Sequence, residues 1–329
     1  MDGPAHAGPS CFHGRPVTVL LDSDAVFSAV DAATAVERTR DAFVRHAAGE
    51  WRMPSKLYLD APPDGDFRAM PAAGGGLAIL KWVTSFPHNP ERGLPVVAGA
   101  LLVSDAETGE LLAILDTAAV TSLRTGAAAA VSARALARED AASVGIVGCG
   151  VNGSWAARCL AAAGYGAGVC ADLRPQAAAD LADELGWTAG TVAEALAADV
   201  VVTVTPGEEA VVTEETLVPG QHVAVLGADA HGKAEMTPGA VARCSLFCDE
   251  WAQASAGGEL AGPFSRGEIA REDVSELGPV LTGEARGRTS AEQITAFDST
   301  GLAIQDLGIA AAVLDAWREG RVEGLEVSL

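Results

Sequence analysis

Six residues constrain this chain more than any others: Gly148-Cys149-Gly150-Val151-Asn152-Gly153. A G-x-G-x-x-G run is a weak pattern alone. Here it follows the apolar run SerValGlyIleVal and opens text that reads as a helix over 152–163, which is the context a dinucleotide loop requires. Gly148 permits the tight turn, Gly150 lets the backbone approach a pyrophosphate, and Gly153 lets helix and strand pack closely. The helix N-terminus adds free N–H groups and a partial positive charge. Asp172 stands about 20 residues on, at the end of the next apolar run. A carboxylate there accepts hydrogen bonds from ribose hydroxyls and repels a 2′-phosphate, so NAD is the expected cofactor. Arg174, two residues later, would accept that phosphate, which keeps NADP as the alternative. The expected cofactor set is therefore Gly148, Gly150, Val151, Asn152, Gly153, Asp172 and Arg174. Thr125, Thr205 and Ser299 are assigned to the same site.

Around this loop the text alternates between strand and helix: strand 144–147, helix 152–163, strand 168–171, helices 175–185 and 192–198, strands 200–205 and 223–226. That alternation predicts a doubly wound parallel sheet, closed by a last strand at 294–297. The preceding text differs. A strand at 17–22 and a helix from 24 to 48, capped by Ser23, lead into short extended runs at 56–59, 67–70, 77–86, 96–104 and 111–115. Strands that follow strands predict a mostly antiparallel sheet, hence an α+β unit. An Ala-rich helix over 117–137 joins the two, and a helix over 301–318 returns to the first. The expected division is 1–118 with 301–329 for the α+β unit and 119–300 for the Rossmann unit, giving an α/β protein overall.

The formal net charge of −22 and the lack of any basic run argue against nucleic acid or an anionic membrane as partner. No apolar stretch reaches the ~20 residues of a membrane span. Residues 1–16 lack the pattern of a signal peptide and read as a frayed leader. The cysteines, Cys11, Cys149, Cys159, Cys170, Cys244 and Cys248, form no CxxC pair and no metal-ligand spacing, so no metal is expected and the cytoplasm is the expected compartment.

Lysine usage singles out candidates. The chain has three, Lys56, Lys81 and Lys233, against nineteen Arg. Lys81 interrupts an apolar strand, where an ammonium is costly unless paired and its pKa moves readily; an edge-strand or snorkelling Lys is the plainer alternative. Lys56, Arg68 and Arg124 lie in separate elements, and if they converge they form a carboxylate clamp. Four cations around one pocket would also repel any added ammonium. Asp229 ends an apolar strand, where ligands of a doubly wound sheet bind, and suits acid/base work, with a turn cap as the alternative. The Asp298-Ser299-Thr300 segment has the same placement at the last strand and also reads as a helix cap.

Together these segments resemble the ornithine cyclodeaminase/mu-crystallin family. The carrying text is MetProSerLysLeuTyrLeu at 53–59, GlyAspPheArgAlaMetPro at 65–71, LeuLysTrpVal at 80–83, AsnProGluArgGlyLeuPro at 89–95, ThrSerLeuArgThrGlyAla at 121–127, GlyAlaAspAlaHisGlyLys at 227–233 and PheAspSerThrGlyLeuAlaIleGlnAsp at 297–306. The resemblance implies a homodimer built through the N-terminal sheet, with the active site between the domains. It implies that Lys56, Arg68, Lys81 and Arg124 meet the substrate carboxylate or reacting carbonyl, and that Asp229 is the acid/base group beside the nicotinamide. Cyclodeaminases of the family carry a Glu before the Met-Pro pair and an Arg in the strand where Lys56 stands. This chain, with Lys56 and Arg68, resembles instead the archaeal-type alanine dehydrogenases. His231 replaces the Pro or Gly more usual there. The implied activity is NAD-dependent oxidation of a small L-amino acid such as alanine, or reductive amination of its keto or imino acid. A cyclodeaminase of ornithine or lysine, a cyclic ketimine reductase and a non-catalytic NAD(P)-binding protein remain as alternatives.

Overall fold

The computed structural model describes residues 17–206, 209–228 and 233–329. Cys11 with the rest of 1–16, and Asp229 and His231, lie outside the described residues.

The chain opens with β1 (Val17–Leu21), α1 (Ser23–Ala29) and α2 (Ala32–Ala47). The single helix expected over 24–48 is therefore two. Asp22, not Ser23, caps the first by accepting from the Ala25 amide at 3.0 Å. Asp31 caps the second through the Thr34 amide at 2.8 Å, with Val30 extended between them. A side chain that competes for the first-turn amides restarts the helix there. Five strands follow, each antiparallel to the next: β2 (Leu57–Ala61), β3 (Gly65–Gly74), β4 (Leu77–Ser85), β5 (Val97–Asp105) and β6 (Leu111–Asp116). With β1 and the last strand, β15 (Leu325–Ser328), they form a sheet ordered β15-β1-β6-β5-β4-β3-β2, antiparallel except for the β1–β6 pair.

Helix α3 (Thr117–Leu136) leads into the second layer set. Its Ala-rich surface is buried almost throughout, and at Gly126 a Cβ would lie 2.4 Å from the Trp155 backbone, so small residues set the close approach of α3 to the helix after the Gly-rich loop. That region runs β7 (Ser143–Val147), α4 (Val151–Ala162), β8 (Ala167–Ala171), α5 (Pro175–Leu185), β9 (Thr188–Ala189), α6 (Val192–Leu196), β10 (Val200–Thr203), β11 (His222–Val225), α7 (Pro238–Ala242), β12 (Ser245–Cys248), α8 (Trp251–Gly257), α9 (Ala261–Ser265), β13 (Val274–Glu276), α10 (Leu277–Thr282) and β14 (Thr295–Asp298). Its sheet is wholly parallel, ordered β13-β12-β14-β11-β10-β7-β8-β9, which is a Rossmann-type α/β layer. Helix α11 (Ala303–Arg318), nearly all buried, packs against α2, β3 and β4 and carries the chain back to the first sheet. The described cysteines are free, with Cys149, Cys159, Cys170 and Cys248 buried. No helix among the described residues is long and apolar enough to cross a membrane.

Candidate functional site

Strand alternation sorts the first sheet into two faces. Register pairs Tyr58 with Arg68, Arg68 with Val83, and Met70 with Lys81, so Tyr58, Arg68 and Lys81 point to one face. That face meets α3 and α11. Leu57, Leu59, Leu80 and Trp82 point the other way and are exposed.

Lys81 is 1% exposed. Its Nζ donates to Thr121 Oγ1 at 2.6 Å and to Asp306 Oδ1 at 2.9 Å. Two of the three ammonium protons are thus held among the described residues. Burial pushes its pKa down to about 8, opposed by the Asp306 charge and helped by the nearby Arg124 and Arg68 charges. Arg124, on α3, stands with Nε 3.6 Å from the same Asp306 oxygen. Arg68 is 7% exposed, is held by both oxygens of Asp66 at 2.6 and 3.1 Å, and lies over the Tyr58 ring. Lys56 Nζ donates to the Thr300 carbonyl at 2.6 Å. At Gly301 an added Cβ would fall 2.2 Å from Arg124 Nη1, so the guanidinium rests on that glycine. The four sequence-selected cations therefore converge from β3, β4, α3 and the segment before β2.

The uniformly positive pocket expected from those four residues is not what forms. Asp66 and Asp306 sit among them, and both Asp60 and Asp66 line a cavity of about 480 Å³ together with Lys56, Tyr58, Gln253 and Thr300. Buried cations carry counter-charges because an unpaired one is too costly. Asp306, Thr121 and Asp249 were given no role from sequence. Asp306 had a legible signal: it is the lone acid in the apolar text AlaIleGlnAspLeuGlyIle.

The Gly-rich loop has the shape its sequence requires. Gly148 has φ +99 and no room for a Cβ against the Val204 carbonyl, and a Cβ at Gly153 would strike the Gly148 carbonyl at 1.8 Å. Gly150, by contrast, has open space where a Cβ would point. That is a cradle for a group approaching the α4 N-terminus. Val151 is exposed beside it and Asn152 half-buried. Asp172 accepts from the amides of Cys149 at 2.7 Å and Arg174 at 2.8 Å. Burial opposes, but those amides and the Arg174 side chain hold its carboxyl below the usual range. Arg174 Nε lies 3.3 Å from the same carboxylate and is mostly exposed. The Thr205 amide and hydroxyl both donate to Glu235 at 2.6 Å, while Thr125 Oγ1 and Ser299 Oγ are buried with no hydrogen-bond partner among the described residues. Orphaned hydroxyls and an open glycine fit a dinucleotide. Asp298 does not cap α11, as one sequence reading had it; Leu302 stands at that position.

These features agree with comparisons to known proteins. The model of the ornithine cyclodeaminase/mu-crystallin family matches residues 17–321. The alanine dehydrogenase of Archaeoglobus fulgidus is 38% identical over 91% of this chain and 94% of its own length. The iminosuccinate reductase of Paracoccus denitrificans is 32% identical over 95% of this chain and 98% of its own. The solved structure of an archaeal alanine dehydrogenase dimer with bound NAD superposes with TM-score 0.90 at 37% identity, covering 95% of this chain and 99% of that one. The chain belongs to the ornithine cyclodeaminase/mu-crystallin family.

Proposed function

We propose that the protein is an NAD-dependent L-amino-acid dehydrogenase acting on a small substrate, by oxidative deamination or by reductive amination of the keto or imino acid. The observation that carries this reading is Lys81, an ammonium buried at 1% exposure between Thr121 and Asp306, with two of its three protons held among the described residues. A buried ammonium whose pKa is lowered by burial, clustered with Arg124, Arg68 and Asp306, marks a candidate functional site. The alanine dehydrogenase and iminosuccinate reductase relatives support the same class.

In this reading Lys56, Arg68 and Arg124 grip the substrate carboxylate and so aim its Cα. Lys81 donates its remaining proton toward the carbonyl or imine that forms there. Asp229 takes and returns the proton that accompanies C–N cleavage. The dinucleotide, held by Gly148, Gly150, Val151, Asn152 and Gly153 with Asp172, Thr125, Thr205 and Ser299, supplies the hydride acceptor. Residues 119–300 form the cofactor domain, and 1–118 with 301–329 the substrate-binding and dimerisation domain of a cytoplasmic homodimer.

A second reading, cyclodeaminase, gains support from Asp60 and Asp66 on the cavity wall, which give a distal ammonium acceptors. The test is incubation with NAD and each of alanine, ornithine and lysine, with keto acids plus ammonia in the reverse direction. A dehydrogenase builds up NADH with a small amino acid and releases ammonia. Proline from ornithine with no NADH build-up would overturn the first reading in favour of the second.

A further inference from the structure

We propose that Asp249 is a positioning residue for the substrate clamp: it holds the Thr300–Gly301 corner that fixes Lys56 and seats Arg124. This rests on the substrate-binding roles proposed above for those two cations.

Asp249 follows β12, where the strand lies beside β14, and its amide donates to the Asp298 carbonyl at 3.0 Å. Its side chain is turned inward, and the residue is 4% exposed. One oxygen accepts from the Gly301 amide at 2.7 Å; the other accepts from the Thr300 hydroxyl at 3.1 Å and the Glu250 amide at 2.8 Å. The corner so gripped touches both cations, through the Thr300 carbonyl on Lys56 and the Gly301 Cα on Arg124. Gly301 has φ +77, a backbone state open to glycine, and the lack of a Cβ there is what lets Arg124 rest on it.

The electrostatics fit that task. Asp298 lies next to Asp249 with Oδ2 accepting from the Leu260 amide at 3.1 Å. Burial and the Asp249 charge push its carboxyl well above the usual range, with the Leu260 amide opposing. Burial also raises Asp249, against the opposing charge of Lys56 and the amide of Gly301. An amide at position 249 could not do the same work. One acceptor oxygen would remain, and the NH₂ would face the backbone amide of either Gly301 or Glu250, donor against donor.

The three lysines of the chain make a direct experiment available. Reductive methylation of the intact protein with ¹³C-formaldehyde, read by peptide mass spectrometry, reports Lys56 and Lys233 separately, with buried Lys81 as the slow reference. In Asp249→Asn, Lys56 should react about threefold faster or more than in wild type while Lys233 does not change. The KM for the amino acid should rise about tenfold, with kcat and the KM for NAD within about threefold. Thr300→Val, which removes one hydroxyl contact and keeps the carbonyl, should move both readouts the same way by less, and Thr300→Ser should restore wild-type values. Unchanged Lys56 reactivity and KM in Asp249→Asn overturn the proposal. So does parallel loosening of Lys56, Lys233 and the KM for NAD, which marks a general structural role. Should Asp249→Asn not fold, Thr300→Val decides by the same criteria. If wild type turns over no amino or keto acid, the functional reading has failed, and the Lys56 labelling still decides whether Asp249 holds the clamp.

Discussion

Lys81 is a residue whose chemistry is set by its burial and three charged neighbours at once. Burial drives its pKa down to about 8, Asp306 holds it up, and Arg124 and Arg68 press it lower. At neutral pH it is therefore still mostly an ammonium, and polarising a carbonyl requires that form. Activity that depends on it should fall as pH rises through about 8. Because Asp306 raises this pKa, Asp306→Asn should shift the descending limb of the kcat/KM profile to lower pH, and Lys81→Met should lose turnover by roughly 10²–10⁴-fold. Comparing the limb between wild type and Asp306→Asn cancels the ionisations of ammonia and substrate, which both proteins share. A limb that stays in place in Asp306→Asn would return Lys81 to the role of a buried structural cation.

At the scale of elements, the loop between β7 and α4 argues for cofactor choice. Asp172 is bound by two backbone amides that, with the Arg174 side chain, hold its carboxyl below the usual range, so its charge is fixed beside the loop proposed above to hold the dinucleotide. NAD should exceed NADP in kcat/KM by about 10- to 100-fold, on the order of 1–3 kcal/mol. A clear preference for NADP would promote Arg174 instead, whose guanidinium already lies 3.3 Å from Asp172 and is free to swing on an exposed stem. This loop was readable in advance because its requirements are local: a turn, a close approach and a helix start, each answered by one glycine. So was the Ala-rich α3. The break between α1 and α2 was not, because two aspartates at 22 and 31 compete for capping within one apolar period. Strands β9, β12, β13 and β15, of two to four residues, were missed because long-range pairing defines them. In the site, Lys81 stood out as an interruption of apolar text and Lys56 by the scarcity of lysine, whereas the backbone partners of Asp249 are brought near only in the folded chain.

Across the whole molecule, one sheet serves two tasks on opposite faces. Its inner face carries Arg68 and Lys81 toward α3 and α11. Its outer face presents Leu57, Leu59, Leu80 and Trp82 at 61%, 55%, 37% and 39% exposure, with the Phe67 and Trp82 rings stacked at 5.6 Å. Contiguous exposed apolar side chains on a sheet mark an interface more often than a free surface. The second copy of the homodimer proposed above is the occupant that fits this face. In a two-fold interface every substitution occurs twice. If Trp82→Glu removes about 2 kcal/mol per site, the dimer loses roughly 4 kcal/mol, on the order of a thousandfold in Kd. Light scattering on the wild type should give about 67 kDa, twice the 33.3 kDa chain, and on Trp82→Glu the monomer mass. Because β3 and β4 carry the outer residues on the same backbone as Arg68 and Lys81, the monomer should also show a raised amino-acid KM while the KM for NAD, set in the other sheet, holds. A wild-type protein that runs at the monomer mass at micromolar concentration would sink the assignment of this face, and would leave its exposed tryptophan without a physical account.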